Sequence, residues 1–296
     1  KGRASLYILH ANGYNADIMA FVRLGNCFTS RPRLRKGGGG FMQVITPLFN
    51  LENFPAEIRA LVPCRFEGRT VGAFFLPPRR AVTDVHGLAL RALAQGRVLI
   101  LYIDGLGYSL YTRARLPFIK RTFLCTPART AYPPLTQPCM ASMLTGVWPD
   151  AHGVLSRRHH KPRVPSLMSV PGAVLVEADS ELLALEKAPV LTLPCEGESV
   201  DAAVLRAALP FVCGDAPLVI VHFHGLDDME HALGDDASAL ADKLTELDEA
   251  VARLCAAFHG TAIFCADHGA HGSAGSAGHG AFDCRDMFVP LGEAVL

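Results

Sequence analysis

Three continuous apolar segments, each ending at or just before an aspartate, constrain the fold of this chain most strongly. They are Val98–Ile103, Leu218–Phe223 and Thr261–Ala266. A segment that is apolar on both faces is typical of a central strand in a parallel sheet covered by helices. Apolar residues recur every three or four positions from Leu240 to Phe258, which predicts an amphipathic helix between the last two strands. The alternation of strands and helices predicts an α/β sandwich.

The aspartates that follow these strands are expected to lie close together. Ligands of open α/β sheets bind beyond the carboxyl ends of the strands, so Asp104, Asp227 and Asp267 should converge on one edge. A single carboxylate at a strand end is commonly a turn residue or a helix cap. Three carboxylates at one edge repel one another unless a cation lies between them. The pattern therefore favours a metal site over three separate caps.

Histidines near these aspartates strengthen the metal interpretation. Seven of the 12 histidines follow residue 220. Asp227 and His231 are four residues apart, so both side chains can point at one ion from a single helical turn. His268 follows Asp267 at a strand-to-loop transition, and His279 lies in a glycine-rich segment. Aspartate and histidine together suit zinc better than calcium or magnesium, which prefer oxygen ligands.

A nucleophile candidate lies at a predicted helix start. Thr136 precedes Pro138, which is suited to the first turn of a helix. Threonine is also a common helix cap, so a purely structural role for Thr136 is the alternative. Helix N-terminal amides attract anions, and a bound metal lowers the pKa of a hydroxyl. Thr136 can therefore serve both as a cap and as a nucleophile directed at phosphate.

Charge and composition exclude several classes of protein. The 28 basic and 28 acidic side chains argue against a binder of nucleic-acid duplexes, because such proteins use a basic surface. No apolar run reaches the roughly 18–20 residues of a transmembrane helix. Nine cysteines without CxxC spacing favour reduced thiols and a cytoplasmic location. The chain begins at Lys1 without an initiator methionine, which indicates trimming and leaves a removed signal peptide or membrane anchor as alternatives.

The N-terminal third gives few signals. We expect residues 1–95 to form a segment of unclear role that packs on a core of residues 96–296. The run from Gly37 to Gly40 has no predicted strand before it, so a flexible loop is favoured over a phosphate-binding loop. The glycine- and serine-rich stretch from 272 to 278 is interpreted as a mobile loop.

Five ordered motifs resemble the alkaline phosphatase superfamily, and most closely its type I phosphodiesterase/nucleotide pyrophosphatase branch. The motifs lie within residues 97–156 and 218–291, in the order found in the family. They are Tyr102–Gly107, Pro134–Pro138 with Leu144–Val154, Asp227–His231 with Gly234, Ala266–Gly269, and Gly278–Gly280 with Met287–Pro290. The resemblance implies a three-layer α/β/α sandwich with a mostly parallel central sheet. It also implies only a small cap, formed by residues 157–200.

The resemblance further implies a site for two divalent metal ions, Zn²⁺ with Mn²⁺ or Fe as alternatives. The ligands of one ion would be Asp104, Thr136, Asp267 and His268. The ligands of the other would be Asp227, His231 and His279. Thr136 would attack phosphorus and form a phosphothreonine intermediate, which water then hydrolyses.

The remaining histidines of the matched regions are given other roles. His271 is a runner-up for the last metal ligand, and a solvated loop histidine is the alternative. His152 resembles a family position that is structural. His222 and His224 are interpreted as strand residues or as neighbours of the metal ligands.

Two positions depart from the family pattern. Cys139 stands where the branch usually has asparagine. It is a candidate substrate-binding residue, with a thiol nucleophile or a small packed residue as other interpretations. Arg157 stands where the family tends to place a phosphate-binding asparagine. One interpretation is that Arg157 or Arg158 binds a phosphate through two hydrogen bonds. The other is that both arginines belong to a solvated basic loop. An arginine in contact with phosphate would favour a monoester over a diester.

The sequence therefore predicts a metal-dependent hydrolase of phosphoric esters, of the phosphodiesterase/nucleotide pyrophosphatase type. The alternatives are a phosphomonoesterase, a phosphomutase or a phosphonate hydrolase of the same superfamily, and a non-catalytic binding protein on this fold. The expected partner is a small phosphorylated substrate, and a homodimer is left open.

Overall fold

A computed structural model describes residues 80–234, 238, 240–273, 276–281 and 283–296, and four short strands closer to the N terminus. Two compact units divide the chain between Arg79 and Arg80. In the first unit the four strands pair antiparallel, Tyr7–Leu9 with Met42–Val44 and Arg65–Phe66 with Arg69–Thr70. The predicted loop from Gly37 to Gly40 lies outside the described residues.

A seven-stranded, mostly parallel sheet lies at the centre of the second unit, which confirms the predicted fold class. The strands described in this unit are β1 (Val98–Ile103), β2 (Thr126–Arg129), β3 (Val174–Glu177), β4 (Val190–Leu191), β5 (Leu218–Phe223), β6 (Thr261–Ala266), β7 (His271–Ser273), β8 (Ser276–Gly278) and β9 (Phe288–Val295). The spatial order of the sheet is β2-β9-β6-β1-β5-β3-β4. Strand β9 runs antiparallel to both of its neighbours, and the other pairs between adjacent strands are parallel.

Helices flank this sheet and bury its apolar strands. Those described in the unit are α1 (Asp84–Leu93), α2 (Tyr108–Arg113), α3 (Pro117–Phe123), α4 (Thr136–Thr145), α5 (Pro149–His152), α6 (Val200–Cys213), α7 (Gly225–Leu233), α8 (Ala241–Ala256) and α9 (Cys284–Met287). Helix α8 is the predicted amphipathic helix, and its apolar stripe is buried from Leu244 to Leu254. Helix α1 contacts β1 and β6, so the folded unit begins before residue 95 along the chain.

The three predicted strands lie side by side and end at the same level. Ile103 at the end of β1 pairs with Phe223 at the end of β5 and with Ala266 at the end of β6. The backbone N–H of Asp104 continues this ladder by donating to the Phe223 carbonyl at 2.9 Å. The residues that follow each strand therefore emerge together at the carboxyl edge, where ligands of such sheets bind.

Two stretches differ from the sequence expectations in detail. Within residues 157–200, strands β3 and β4 extend the central sheet beyond β5, so this stretch supplies sheet edge as well as loops. The glycine-rich stretch that was predicted as a mobile loop contains β7 and β8, which pair as an antiparallel hairpin. Among the described helices, none combines the length and the apolar character that a membrane crossing requires.

Candidate metal centre

The residues that follow the carboxyl ends of strands β1 and β6 bring two carboxylates and an imidazole into one cluster. The Nε2 atom of His268 lies 3.3 Å from Asp104 Oδ1 and 3.3 Å from Asp267 Oδ2. Asp267 is held by the N–H of Gly105, which donates to its Oδ1 at 3.2 Å. The side chains of Asp104, Asp267 and His268 are all buried. The predicted convergence of Asp104 with Asp267 and His268 is therefore present in the structure.

Thr136 reaches this cluster from the start of helix α4. It is the first residue of the helix, after Leu135 in an extended conformation, and its side chain is nearly buried. Its Oγ1 lies 3.3 Å from His268 Nε2. Unpaired backbone amides at such a helix start favour an anion. Thr136 thus lies both beside the carboxylate cluster and at the helix end best suited to bind phosphate.

A second set of side chains comes from helix α7 and from the residue after β8. Asp227 and His231 lie on one turn of α7, with His231 Nε2 3.3 Å from Asp227 Oδ2. His279 approaches the same carboxylate, with Nε2 3.8 Å from Asp227 Oδ1. The imidazole of His279 also stacks on that of His268, with ring centroids 3.7 Å apart. The two predicted ligand sets are therefore contiguous.

Backbone carbonyls orient both histidines of the second set. The Nδ1 of His279 lies 3.0 Å from the Pro134 carbonyl, and the Nδ1 of His231 lies 3.0 Å from the Ala277 carbonyl. A carbonyl at this position selects the tautomer that carries its proton on Nδ1. The lone pair is then left on Nε2, which faces Asp227 in both residues. Metal-bound histidines are commonly fixed in this way.

The electrostatics of the cluster favour positive charge. Burial raises the pKa of Asp104 well above its usual value, and the charges of Asp267 and Asp227 raise it further. Burial alone would lower the pKa of His268, but the carboxylates of Asp267, Asp104 and Asp227 outweigh it and raise that pKa. Burial, followed by the effect of His268, lowers the pKa of His279 to about 2, so His279 stays neutral.

Unpaired ligand atoms show that the residues present fit a divalent cation. Asp104 Oδ1, Asp227 Oδ1 and Asp267 Oδ2 are buried and have no hydrogen-bond partner among the described residues. Asp104, Asp267 and His268 each offer a ligand atom within 4.8 Å of the others, and so do Asp227, His268 and His279. Burying ionised carboxylates without compensation costs several kcal/mol each. A cation between them removes that cost.

The two positions that depart from the family pattern differ in access to the cluster. Arg157 is exposed, and its Nη2 donates to His279 Nε2 at 2.8 Å, so its guanidinium reaches the edge of the site.

Cys139 is completely buried, and the hydroxyl of Thr130 donates to its Sγ. Burial and the charge of Asp267 raise the pKa of the Cys139 thiol. A substrate-binding role for Cys139 does not fit this position, which is that of a small packed residue.

Two further histidines have structural partners. His152 is buried, accepts the N–H of Val154 at Nδ1, and lies 2.9 Å from Ser142 Oγ through Nε2. The Nδ1 of His271, the runner-up ligand, lies 2.7 Å from the buried carboxylate of Asp286. Both histidines are therefore occupied away from the cluster.

Three residues beside the site were not assigned a ligand role from sequence. His222 and His224 were interpreted as strand residues or neighbours, and both lie 3.6 Å from Asp104 Oδ2. Glu177, at the end of β3, lies 3.2 Å from His222 Nδ1. The alternation of His222 and His224 around Phe223 could have indicated that the two imidazoles lie on one side, but no pattern indicated Glu177.

Comparisons with known proteins agree with this architecture. Residues 98–170 match the model of the family described as type I phosphodiesterase / nucleotide pyrophosphatase. The chain is similar to human ectonucleotide pyrophosphatase / phosphodiesterase 5, at 12% identity and a TM-score of 0.53, over 67% of this chain and 87% of that chain. It is also similar to a 2-O GAG sulfatase, at 16% identity and a TM-score of 0.52, over 68% of this chain and 64% of that chain. No curated protein sequence matches the chain.

The similarity to these solved structures shows the fold that the resemblance to the alkaline phosphatase superfamily implied. The family match places the chain's resemblance in the type I phosphodiesterase/nucleotide pyrophosphatase branch. This match supports a hydrolase of phosphoric esters. Because the sequence identities to the solved structures are low, these similarities show the fold of the chain and not its activity.

Proposed function

We propose that the chain is a metal-dependent hydrolase of phosphoric esters, of the phosphodiesterase/nucleotide pyrophosphatase type. The observation that carries the proposal is the placement of Thr136 Oγ1 at 3.3 Å from His268 Nε2, beside buried and unpaired carboxylate oxygens. A hydroxyl at a helix start and next to a cation site is suited to attack on phosphorus. The substrate is a small phosphorylated molecule.

The chain's own residues have distinct tasks in this proposal. Asp104, Thr136, Asp267 and His268 would hold one divalent ion, and Asp227, His231 and His279 the other. The ions, Zn²⁺ with Mn²⁺ or Fe as alternatives, supply Lewis acidity and neutralise the charge that develops during phosphoryl transfer. The Thr136 hydroxyl releases its proton to solvent, and its oxygen bonds to phosphorus as the bond between phosphorus and the ester's leaving oxygen breaks. Water then cleaves the phosphothreonine bond and regenerates the hydroxyl.

Chelation is expected to remove the activity. The zinc-loaded chain should hydrolyse bis(p-nitrophenyl) phosphate, and EDTA should lower that rate by at least a hundredfold, because ligand carboxylates without a cation cannot stabilise the transition state. Release of p-nitrophenolate measures the rate, and p-nitrophenyl phosphate in a parallel assay compares monoester with diester. Re-addition of Zn²⁺ should restore the rate.

The control for this experiment is the zinc–EDTA complex at the same concentration, which adds the same chelator but has no capacity left to take zinc from the chain. Hydrolysis that persists after complete removal of metal would contradict the proposal. Failure of the chain to hydrolyse either ester after loading with Zn²⁺ or Mn²⁺ would also contradict it.

Arg157 is the candidate for distinguishing monoesters from diesters. Its Nη2 donates to His279 Nε2, one of the atoms that would hold an ion, so the guanidinium is close enough to contact an anion bound at the site. We expect Arg157→Ala to raise KM for p-nitrophenyl phosphate by about 10-fold or more, because a hydrogen bond to a charged group contributes about 1.5–3 kcal/mol. The monoester carries more charge, so KM for the diester should rise less.

The matched control for Arg157→Ala is Arg253→Ala, which removes an exposed arginine from helix α8. It should leave both KM values unchanged. Equal changes for monoester and diester in Arg157→Ala would show that Arg157 does not discriminate between them.

A further inference from the structure

A third group of potential ligand atoms lies on the other side of Asp104. His222 is at the penultimate position of β5 and His224 follows the end of that strand, so both are on one face of the sheet. Asp104 follows the adjacent β1 at the same level. We call Asp104, His222 and His224 the histidine cluster. None of the roles given above to the seven proposed ligands uses either of these histidines.

Distances in the histidine cluster are close to those between two ligands of one ion. His222 Nε2 lies 3.6 Å from Asp104 Oδ2, and His224 Nδ1 lies 3.6 Å from the same oxygen. Both separations exceed the roughly 2.7–3.2 Å of an N–H···O hydrogen bond. Ligand atoms about 2.0–2.1 Å from a tetrahedral ion are about 3.3–3.4 Å apart, which is close to the observed separations.

An unpaired nitrogen atom inside the histidine cluster points to a missing ligand. His222 is completely buried, and its Nε2, the atom that faces Asp104, has no hydrogen-bond partner among the described residues. A buried polar atom without a partner costs about 1–3 kcal/mol. A cation that accepts an imidazole lone pair and an Asp104 oxygen lowers this cost.

Residues around the histidine cluster hold both imidazoles in place. The Nδ1 of His222 lies 3.2 Å from the buried carboxylate of Glu177, which favours the tautomer with its lone pair on Nε2. A carboxylate behind an imidazole is the usual outer partner of a metal-bound histidine. Asp201 Oδ1 accepts the backbone N–H of His224 at 3.1 Å and of Gly225 at 3.0 Å. The backbone at His224 is thereby fixed.

We propose that the histidine cluster is a third divalent cation site, with Asp104 Oδ2, His222 Nε2 and His224 Nδ1 as its protein ligands. Two imidazoles and one carboxylate suit Zn²⁺ or Co²⁺. Asp104 is shared, because its Oδ1 faces His268 in the centre described above. This inference goes beyond the proposed function, since the cluster binds its ion whether or not Thr136 acts on a phosphoric ester.

Metal stoichiometry tests the third site without reference to activity. After loading with zinc and dialysis, elemental analysis should find three zinc ions per chain in the wild type and two in His224→Ala. The matched control His259→Ala removes an exposed histidine that follows helix α8, and it should retain three. His231→Ala removes a ligand of the proposed two-ion centre and should also lower the count by one, and the double variant with His224→Ala should lower it by two.

A second variant keeps every ligand and changes only the residue behind His222. Glu177→Gln should weaken the affinity of one zinc ion by about 10–100-fold in a competition titration with a chromogenic chelator. Anomalous scattering from zinc-soaked crystals of the wild type should show a peak among Asp104, His222 and His224. This measurement tests the third site even if His224→Ala does not fold.

Several outcomes would overturn the proposal. A wild-type chain that binds two ions and shows no anomalous peak in the histidine cluster would exclude the third site. Retention of three ions by His224→Ala would exclude His224 as a ligand. Failure of the proposed function is distinguishable, because it would appear as three bound ions with no ester hydrolysis.

Discussion

Thr136→Ala is expected to abolish hydrolysis of bis(p-nitrophenyl) phosphate while leaving the fold intact and the other three proposed ligands of the same ion in place. Loss of a covalent nucleophile lowers kcat by on the order of 10³–10⁶-fold in enzymes where this has been measured. The Thr136 oxygen is the hydroxyl beside His268, and alanine leaves no atom that can bond to phosphorus. Steady-state release of p-nitrophenolate, with circular dichroism and zinc analysis on the same sample, measures the effect.

Helix α4 provides the matched control for this substitution. Thr145 is the last residue of the helix and is also buried, but its Oγ1 donates to the Ala141 carbonyl. Thr145→Ala should therefore cost some stability and leave kcat unchanged. Thr136→Ser retains a hydroxyl and should keep activity within roughly tenfold of the wild type. A Thr136→Ala enzyme with wild-type turnover would exclude the phosphothreonine route.

Gly269→Ala is expected to destabilise the unit and to weaken metal binding together. A Cβ at this position would overlap the Arg285 carbonyl oxygen and the Cα of Gly107, both of which are backbone atoms that cannot move aside cheaply. Overpacking of this kind costs about 1–3 kcal/mol. The chain next to Gly269 carries Asp267 and His268, so any relief by backbone movement displaces two proposed ligands.

Thermal unfolding with and without zinc measures both effects of Gly269→Ala. For a unit of this size each kcal/mol lowers Tm by about 2–4 °C. Gly96→Ala is the matched control, because a Cβ there meets no atom within 4 Å and the position lies before β1, away from the site. Equal Tm values for the two variants would show that the close approach of Gly107 and Gly269 is not needed.

The central strands could be predicted from the sequence because their composition leaves few alternatives. The segments that form β1, β5 and β6 are apolar on both faces, and such segments need cover on both sides. Asp227 and His231 were predictable for a similar reason, since a spacing of four on a helix fixes their common direction. Local pattern alone determines these features.

Other features depend on contacts that no local pattern contains. Strand β3 is four residues long, and it forms because Val174–Val176 pairs with the open edge of β5. The hairpin of β7 and β8 has a composition typical of a mobile loop, but Gly272 allows the two strands to approach closely, since a Cβ there would overlap the Ser276 carbonyl oxygen. The contact between Glu177 and His222 joins residues 45 positions apart, so it could be identified only from the structure.

The common level at which β1, β5 and β6 end has a consequence for folding. Asp104, Asp227 and Asp267 lie far apart along the chain and meet only when the parallel sheet has closed, which is a slow, non-local event. A partly folded chain thus offers no assembled cage to a cation. An ion that binds only the folded chain stabilises it by about 2.7 kcal/mol when the concentration of free ion is a hundred times the Kd. If the chain binds metal as proposed, newly made chains that lack it are expected to unfold, and to be cleaved by proteases, more often than chains that have acquired it.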